Sequence, residues 1–156
     1  MRFRQLRESD HGSVVAVVDD WWGGRRVADK LPRLFFRYFP ETSFAVEEDG
    51  ELVAFLVGIV GNPVNEAYVH FVGVHPEHRA RGLGRRLYEM FFDEARRRGC
   101  RSVRAITSPV NTGSIGFHGR MGFEVLEGGS WEDSVSAHPD YDGDGNGKVV
   151  FVRGIS

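Results

Sequence analysis

The stretch "HFVGVHPEHRARGLGRRLYEM", residues 70–90, decides the predicted fold of this 156-residue chain. It opens as a mainly apolar strand, which we expect to end at Pro76 because proline has no N–H donor and holds the residue before it in extended geometry. After Gly82 the apolar residues recur at helical spacing, beginning with Leu83 and Leu87. The stretch therefore predicts a strand, a loop and a helix in succession.

The loop between that strand and helix has the construction of an anion site. A helix amino terminus presents unpaired N–H groups and about half a positive charge, and glycine lets a ligand approach the main chain closely. Gly82 and Gly84 stand where the helix begins, and Arg79 and Arg81 add positive charge. These residues alone leave two alternatives open, a phosphate site or tight strand-to-helix packing beside solvated arginines.

The rest of the pattern predicts one domain over residues 1–156 in the order β-α-α-β-β-β-α-β-α-β-β, a mixed α+β arrangement. Asn62 and Pro63 predict a turn between the third and fourth strands. The predicted strands are Phe3–Arg7, Thr42–Glu47, Glu51–Val60, Tyr68–Val74, Ser102–Ile106, Phe123–Leu126 and Val149–Arg153. The predicted helices follow Asp10 toward Trp22, cover Val27–Tyr38, lie between Gly82 and Gly99, and cover Thr112–Arg120.

Composition argues against several classes of protein. Cys100 is the single cysteine and no apolar stretch follows the first residues, so a reducing cytoplasm is the expected location. The longest apolar run, Leu52 to Val60, is far shorter than the ~20 residues that span a bilayer. A net charge of -2 with scattered basic residues argues against nucleic-acid binding. Lysine occurs only at Lys30 and Lys148, which we interpret as a composition bias.

Two motifs carry a resemblance to a known family. The pattern Arg79-x-x-Gly82-x-Gly84 after "VGVHP" resembles the acetyl-CoA pyrophosphate loop of the Gcn5-related N-acetyltransferase (GNAT) superfamily. The segment "NTGSIGFHGRMGF", residues 111–123, is similar to the second signature of that family, in which Asn begins a short helix that ends in Gly-Phe. The resemblance implies a central, mixed but mostly antiparallel sheet of about seven strands, with strands 4 and 5 splayed apart and about four flanking helices.

The same resemblance implies a function and a set of binding residues. Acetyl-CoA is the expected cosubstrate, an amine is the expected acceptor, and a homodimer is common in such families. The amine would attack the bound thioester directly. The residues that the resemblance assigns to acetyl-CoA are Val72, Val74, Arg79, Ala80, Arg81, Gly82, Leu83, Gly84, Arg85, Asn111 and Ser114.

A base is useful for this reaction because an alkyl amine with a pKa near ~10.4 is almost wholly protonated at neutral pH. By the strand period of two, Tyr68 and His70 share a face with Val72 and Val74. The serotonin N-acetyltransferase branch of the family carries histidines on this strand in a proton path, and His70 matches one of those positions. His70 is therefore the first candidate for a base or proton relay and Tyr68 a weaker one, with a half-buried packing role for His70 left open.

The family usually has a tyrosine seven residues after the Asn, placed to protonate the departing thiolate, and this chain has His118 there. A histidinium can donate a proton, so His118 is either the general acid or a side chain that lines the pocket. The presence of His118 in place of tyrosine also leaves a second function open, that of a non-catalytic acyl-CoA-binding sensor or regulatory module.

By the same resemblance, the loop after the first helix and the loop before the last strand are expected to shape the acceptor pocket. Trp21, Trp22 and Asp142 are the candidates for substrate contact, with core packing as the alternative for the tryptophans. "DYDGDGNGK", residues 140–148, begins like a calcium loop, but its twelfth position is Phe151, where a bidentate Glu is required. No metal site is therefore expected. The acids of this loop would favour a cationic amine if they line the acceptor pocket, and a mobile, solvated loop is the alternative.

Overall fold

The computed structural model describes residues 1–61, 65–132 and 134–156. The turn that Asn62 and Pro63 predict lies outside these residues. No helix in the described ranges combines the length and the apolarity that a membrane span requires.

Seven strands form one sheet in the order β1-β2-β3-β4-β5-β9-β6, and two further strands form a separate hairpin. The sheet strands are β1 Arg2–Gln5, β2 Phe44–Glu48, β3 Glu51–Ile59, β4 Glu66–Val74, β5 Ser102–Thr107, β6 Glu124–Val125 and β9 Val149–Gly154, and the hairpin strands are β7 Ser130–Glu132 and β8 Val135–Ala137. The helices are α1 His11–Trp21, α2 Arg33–Tyr38, α3 Leu83–Arg97 and α4 Thr112–Arg120. The predicted mixed α+β fold, with seven strands and four helices, is confirmed.

The sheet is antiparallel except where β4 lies beside β5. These two strands pair in parallel only over the first part of β4, from the partners Glu66 and Ser102 to the partners Val69 and Ala105. On its other edge β4 stays paired with β3 as far as Val74. From His70 onward β4 and β5 separate, and the expected splay is confirmed.

Two apolar cores cover the two faces of the sheet. Helix α3 has a strongly one-sided apolar pattern and buries Leu87, Tyr88 and Phe91 against one face. On the other face, α1 and α2 bury Val18 and Phe36, among other residues. The splay between β4 and β5 therefore opens in a sheet that is held firmly on both sides.

The second helix and the last third of the chain differ from the prediction. Helix α2 begins at Arg33, not Val27, because a single 3-10 turn at Ala28–Lys30 ends at Leu31 and Pro32 leads into the helix. The hairpin β7–β8 was not predicted, since strands of three residues are too short to show an alternating pattern.

Candidate functional site

The loop that precedes α3 exposes a row of backbone amides. Ala80 and Gly82 have positive φ values of 62° and 76°, which turn the chain sharply before the helix. The first N–H groups of an α-helix have no acceptor within it, and in the described part of the chain those of residues 81–85 bond to no other group. At Gly84 a Cβ would lie 3.1 Å from the Phe117 ring, so a larger residue there would require that ring to shift. The loop can thus hold an anion against the main chain.

The arginines of this loop have different surroundings. The Arg79 Nε donates to the carbonyl oxygen of Val74 at 3.2 Å, and an Nη donates to that of Trp21 at 2.5 Å. Arg79 thus joins the end of β4 to the end of α1. Arg81 is largely exposed, with only a 3.9 Å ion pair to Glu48, and Arg85 is also exposed. Arg85 donates only a 3.4 Å hydrogen bond to the carbonyl oxygen of Arg120, so both exposed cations are weakly held beside the loop.

A cleft of about 1020 Å³ begins at this loop and continues into the splay. Its walls include all eleven residues predicted to bind acetyl-CoA except Arg81, together with the predicted substrate and catalytic residues. Asn111 caps α4, because its Oδ1 accepts the Ser114 N–H at 3.1 Å. The predicted site residues thus lie around one continuous cavity.

His70 lies halfway along the cleft with both ring nitrogens in contact with protein groups. Its Nε2 is 2.5 Å from the carbonyl oxygen of Lys30, so Nε2 carries the proton and donates it. Its Nδ1 is then unprotonated and lies 3.4 Å from the Tyr68 hydroxyl. The ring stacks on Phe35, with centroids 4.1 Å apart. Burial lowers the pKa of His70, and burial also raises the pKa of Tyr68 to about 12. A neutral imidazole with an unprotonated Nδ1, here in a long 3.4 Å contact with the Tyr68 hydroxyl, is the form that a base requires.

His118 is far more enclosed, with 3% of its surface exposed. Its Nδ1 donates to the carbonyl oxygen of Ser114 at 2.8 Å, and its Nε2 accepts the hydroxyl of Tyr88 at 2.6 Å. The ring stacks on Phe151, with centroids 4.5 Å apart and planes nearly parallel. Burial lowers the pKa of His118. The imidazole is therefore neutral and already uses both nitrogens.

The two tryptophans differ in burial. Trp21 is 5% exposed and packs against Phe55 and His75, so most of it belongs to the core. Trp22 is partly exposed and packs on Phe71, with centroids 4.8 Å apart. Both contribute to the cleft wall, and Trp22 offers it the more accessible ring.

Two lysines lie together at the end of the cleft that is farther from the loop. No sequence pattern predicted that they would be neighbours. Lys30 and Lys148 both line the wall there, as does Asp142. Loss of solvent around Lys30 and repulsion from Lys148 lower the pKa of Lys30. The rarity of lysine in the sequence, which we interpret above as a composition bias, also singles out these two residues. No group of three or more potential metal ligands occurs in the described ranges.

The model of the acetyltransferase (GNAT) family matches residues 6–123, which is most of the chain. The L-methionine sulfoximine/L-methionine sulfone acetyltransferase of Salmonella typhimurium is 45% identical over 56 residues, 36% of this chain and 33% of that protein. Across the curated relatives the matched segment spans 27% to 61% of the relative's length.

Solved structures share the fold over the whole chain. Ard1 from Thermoplasma volcanium superposes with a TM-score of 0.79 at 22% identity, covering 99% of this chain and 97% of that one. The yncA structure from Salmonella typhimurium, with its cofactor acetyl-CoA, gives a TM-score of 0.71 at 20% identity and covers 100% and 94% of the two chains. At these identities the likeness concerns the fold.

Proposed function

The chain belongs to the acetyltransferase (GNAT) family, and we propose that it transfers an acetyl group from acetyl-CoA to a primary amine in a ternary complex. The observation that carries this proposal is the single cleft that joins the loop of free amides to the gap between β4 and β5. An anion site and an unpaired strand edge, side by side, suit a ligand with a pyrophosphate and an amide-containing arm.

Each end of acetyl-CoA has matching groups in this chain. The pyrophosphate would lie against the N–H groups of residues 81–85, with the exposed cations of Arg81 and Arg85 beside it. The pantetheine arm would pair with the free edge of β4 at Val72 and Val74, and Asn111 and Ser114 stand across the cleft from that edge. The thioester would then lie near the middle of the cleft.

The reaction needs one base and no covalent enzyme intermediate. The amine nitrogen attacks the thioester carbonyl carbon, a C–N bond forms, the C–S bond breaks, and the ammonium proton leaves to a base. His70 is our candidate for that base through Nδ1, with the Tyr68 hydroxyl adjacent. Cys100 is buried away from the cleft wall, and burial raises its pKa, so it is a poor nucleophile.

His118 is a poor candidate for the group that protonates the departing thiolate. A direct donor must carry a proton on a nitrogen that faces the sulfur, whereas the Nδ1 proton of His118 is bound to Ser114 and its Nε2 faces Tyr88. We therefore favour the pocket-wall role for His118 and direct protonation of the thiolate from water. Coenzyme A can depart as the thiolate without a general acid, because thiols have pKa values near ~8.5, and the thiolate then takes its proton from solvent.

The enclosed His118 also favours the second candidate, an acyl-CoA-binding sensor without turnover. The name of the Salmonella relative, which acetylates amino-acid derivatives, supports the enzyme instead. Both functions require the same cosubstrate cleft, so binding of acetyl-CoA alone does not separate them.

The test measures acetyl-CoA binding by calorimetry and thiol release with a panel of amines, amino acids and peptides. A Cys100→Ala protein supplies the blank for the thiol reagent, because Cys100 is the only thiol of the chain. Acetyl-CoA binding with amine-dependent release is expected. Binding without release across the panel would favour the sensor, and absence of binding would contradict both functions.

A further inference from the structure

Two cations lie together at the acceptor end of the cleft, and they are the only lysines of the chain. Lys148 is 6% exposed, and its backbone is fixed by a β-bridge to His138. Its stem is thus buried, while its ammonium has no acidic partner within the described residues. An ammonium group on a buried stem at the cleft wall, without an acidic partner, can pair with the charge of a ligand anion.

Lys30 is held in the same place from a different part of the chain. Its carbonyl oxygen accepts the Nε2–H of His70, so the residue is tied to the middle of β4. The Asp19 carboxylate, which accepts the N–H groups of Val27 and Ala28 at 2.8 Å each, fixes the turn that leads to it. Burial lowers the pKa of Lys30, and repulsion from Lys148 lowers it further. An anion between the two ammonium groups would replace that repulsion with attraction.

The charge balance at this end of the cleft is positive. Arg25, Lys30 and Lys148 line it, and Asp142 is the one acid among the described residues of the cleft wall. Asp142 acts on the pKa values of His70, Tyr68 and Lys30, so all four groups share one small region. A purely cationic acceptor would face an excess of like charge here.

We propose that Lys30 and Lys148 bind a carboxylate of the acceptor, so that the acceptor is an amino acid and not a simple amine. This inference rests on the proposed function, since it names the substrate of the same cleft. The amino group would lie toward His70 and Asp142, and the carboxylate toward the two ammonium groups. The inference narrows the expectation that the loop acids favour a cationic amine, because Asp142 shares the cleft wall with two lysines.

The position of the lysines separates them from the phosphate site. His70, to which Lys30 is bound, precedes Val74 by four residues, or roughly 13 Å of extended strand, and the phosphate loop lies beyond Val74. The pyrophosphate therefore has its own cations at Arg81 and Arg85. The lysine pair serves a second anion.

The test compares an amino acid with its amide, which keeps the amine and side chain but lacks the carboxylate. Thiol release is measured with L-methionine and L-methioninamide, in the unaltered protein and in Lys148→Met and Lys30→Met. Methionine keeps the apolar stem volume of lysine. Arg26→Met is the matched control, because Arg26 is an exposed cation of the neighbouring loop that lies outside the cleft wall.

We expect kcat/KM to favour the amino acid by about 10- to 100-fold, since a charged hydrogen bond is lost with the amide. Each lysine variant should lose about tenfold of this preference through a lower kcat/KM for the amino acid, and the Arg26→Met preference should be unchanged. Equal rates for acid and amide would overturn the inference and leave the proposed function intact. Lysine variants that weaken coenzyme A binding and keep the preference would also overturn it.

A binding assay separates failure of the inference from failure of the proposed function. Calorimetry of N-acetyl-L-methionine and N-acetyl-L-methioninamide, each added with coenzyme A, requires no turnover. Tighter binding of the acid in the unaltered protein, lost in Lys148→Met, would support the lysine site even in a protein that releases no thiol. Equal binding of acid and amide would overturn it.

Discussion

The buried pair formed by Tyr88 and His118 is expected to contribute measurably to stability, whether or not it contributes to catalysis. The Tyr88 hydroxyl donates to His118 Nε2 at 2.6 Å, and Tyr88 has no exposed surface. Burial raises the pKa of Tyr88, so the phenol keeps its proton as the donor of this bond. A substitution at either residue leaves a buried polar atom without a partner.

The expected magnitudes follow from that geometry. His118→Phe keeps the ring that stacks on Phe151 but orphans the Tyr88 hydroxyl, which costs about 1–3 kcal/mol. Tyr88→Phe orphans His118 Nε2 at a similar cost of roughly 1–3 kcal/mol. The double variant removes both polar atoms, so its loss should be smaller than the sum of the single losses by about 0.5–1.5 kcal/mol.

The assay is urea unfolding of the four proteins at one pH, with thermal melts in parallel. For a chain of this size each kcal/mol should move the melting temperature by about 2–4 °C. Tyr38→Phe is the matched control, because the Tyr38 side chain is 68% exposed and its hydroxyl has no buried partner to lose. That variant should stay within about 0.5 kcal/mol of the unaltered protein.

A pH series supplies a second readout of the same pair. Because burial lowers the pKa of His118, the unfolded chain takes up a proton near pH ~6.5 that the folded protein still refuses. The unfolded state therefore binds more protons as the pH falls, and stability should decline below that pH. His118→Phe should remove part of this decline. Additive single losses together with an unchanged pH slope would refute the assignment of a buried, neutral His118.

Two further predictions concern the cleft. In the unaltered protein kcat/KM should rise with pH through the pKa of His70, which burial holds below its usual ~6.5. His70→Ala should lose this rise on the acidic side of the profile. An identical pH profile in the variant would leave His70 with a packing role only. Gly82→Ala should raise the KM for acetyl-CoA roughly fivefold or more, because φ of 76° costs a residue with a Cβ about 1–2 kcal/mol. Gly12→Ala is the control, because Gly12 lies on α1 and a Cβ added there has nothing within 4 Å. It should leave the KM for acetyl-CoA unchanged, and equal effects of the two alanine variants would count against a role of the loop in binding acetyl-CoA.

The central strand, loop and helix could be predicted because their signals are local. Pro76 ends pairing, Gly82 turns the chain, and the apolar period of α3 follows at once. The pairing of Tyr88 with His118 could not be predicted, because it joins two helices through a tertiary contact. The same holds for Lys30 and Lys148, which no local pattern brings together.

Arg79 shows that a sequence motif can predict where a site lies without predicting the hydrogen-bond partners of each side chain. The motif identified the loop, yet two of the guanidinium donors of Arg79 are used by the carbonyl oxygens of Val74 and Trp21. Its charge therefore acts mainly to hold the last residue of β4 against the last residue of α1. In the proposed complex the pyrophosphate would be bound by the backbone amides and by Arg81 and Arg85. Their positions depend on the two hydrogen bonds of Arg79, which clamp β4 to α1.

The same clamp links the two halves of the cleft. Beyond Trp21 the chain turns through the segment that Asp19 fixes and arrives at Lys30, which is bound to His70. One continuous stretch thus runs from the phosphate loop to the acceptor end, attached to β4 at Val74 and at His70. Arg79 joins Trp21 to Val74, the last residue of β4, and His70 joins Lys30 to the middle of that strand, so β4 sets the spacing between the loop before α3 and the Lys30 backbone. A cosubstrate seated on the loop and an acid seated on the lysines would therefore be aligned by β4, without a separate closing motion.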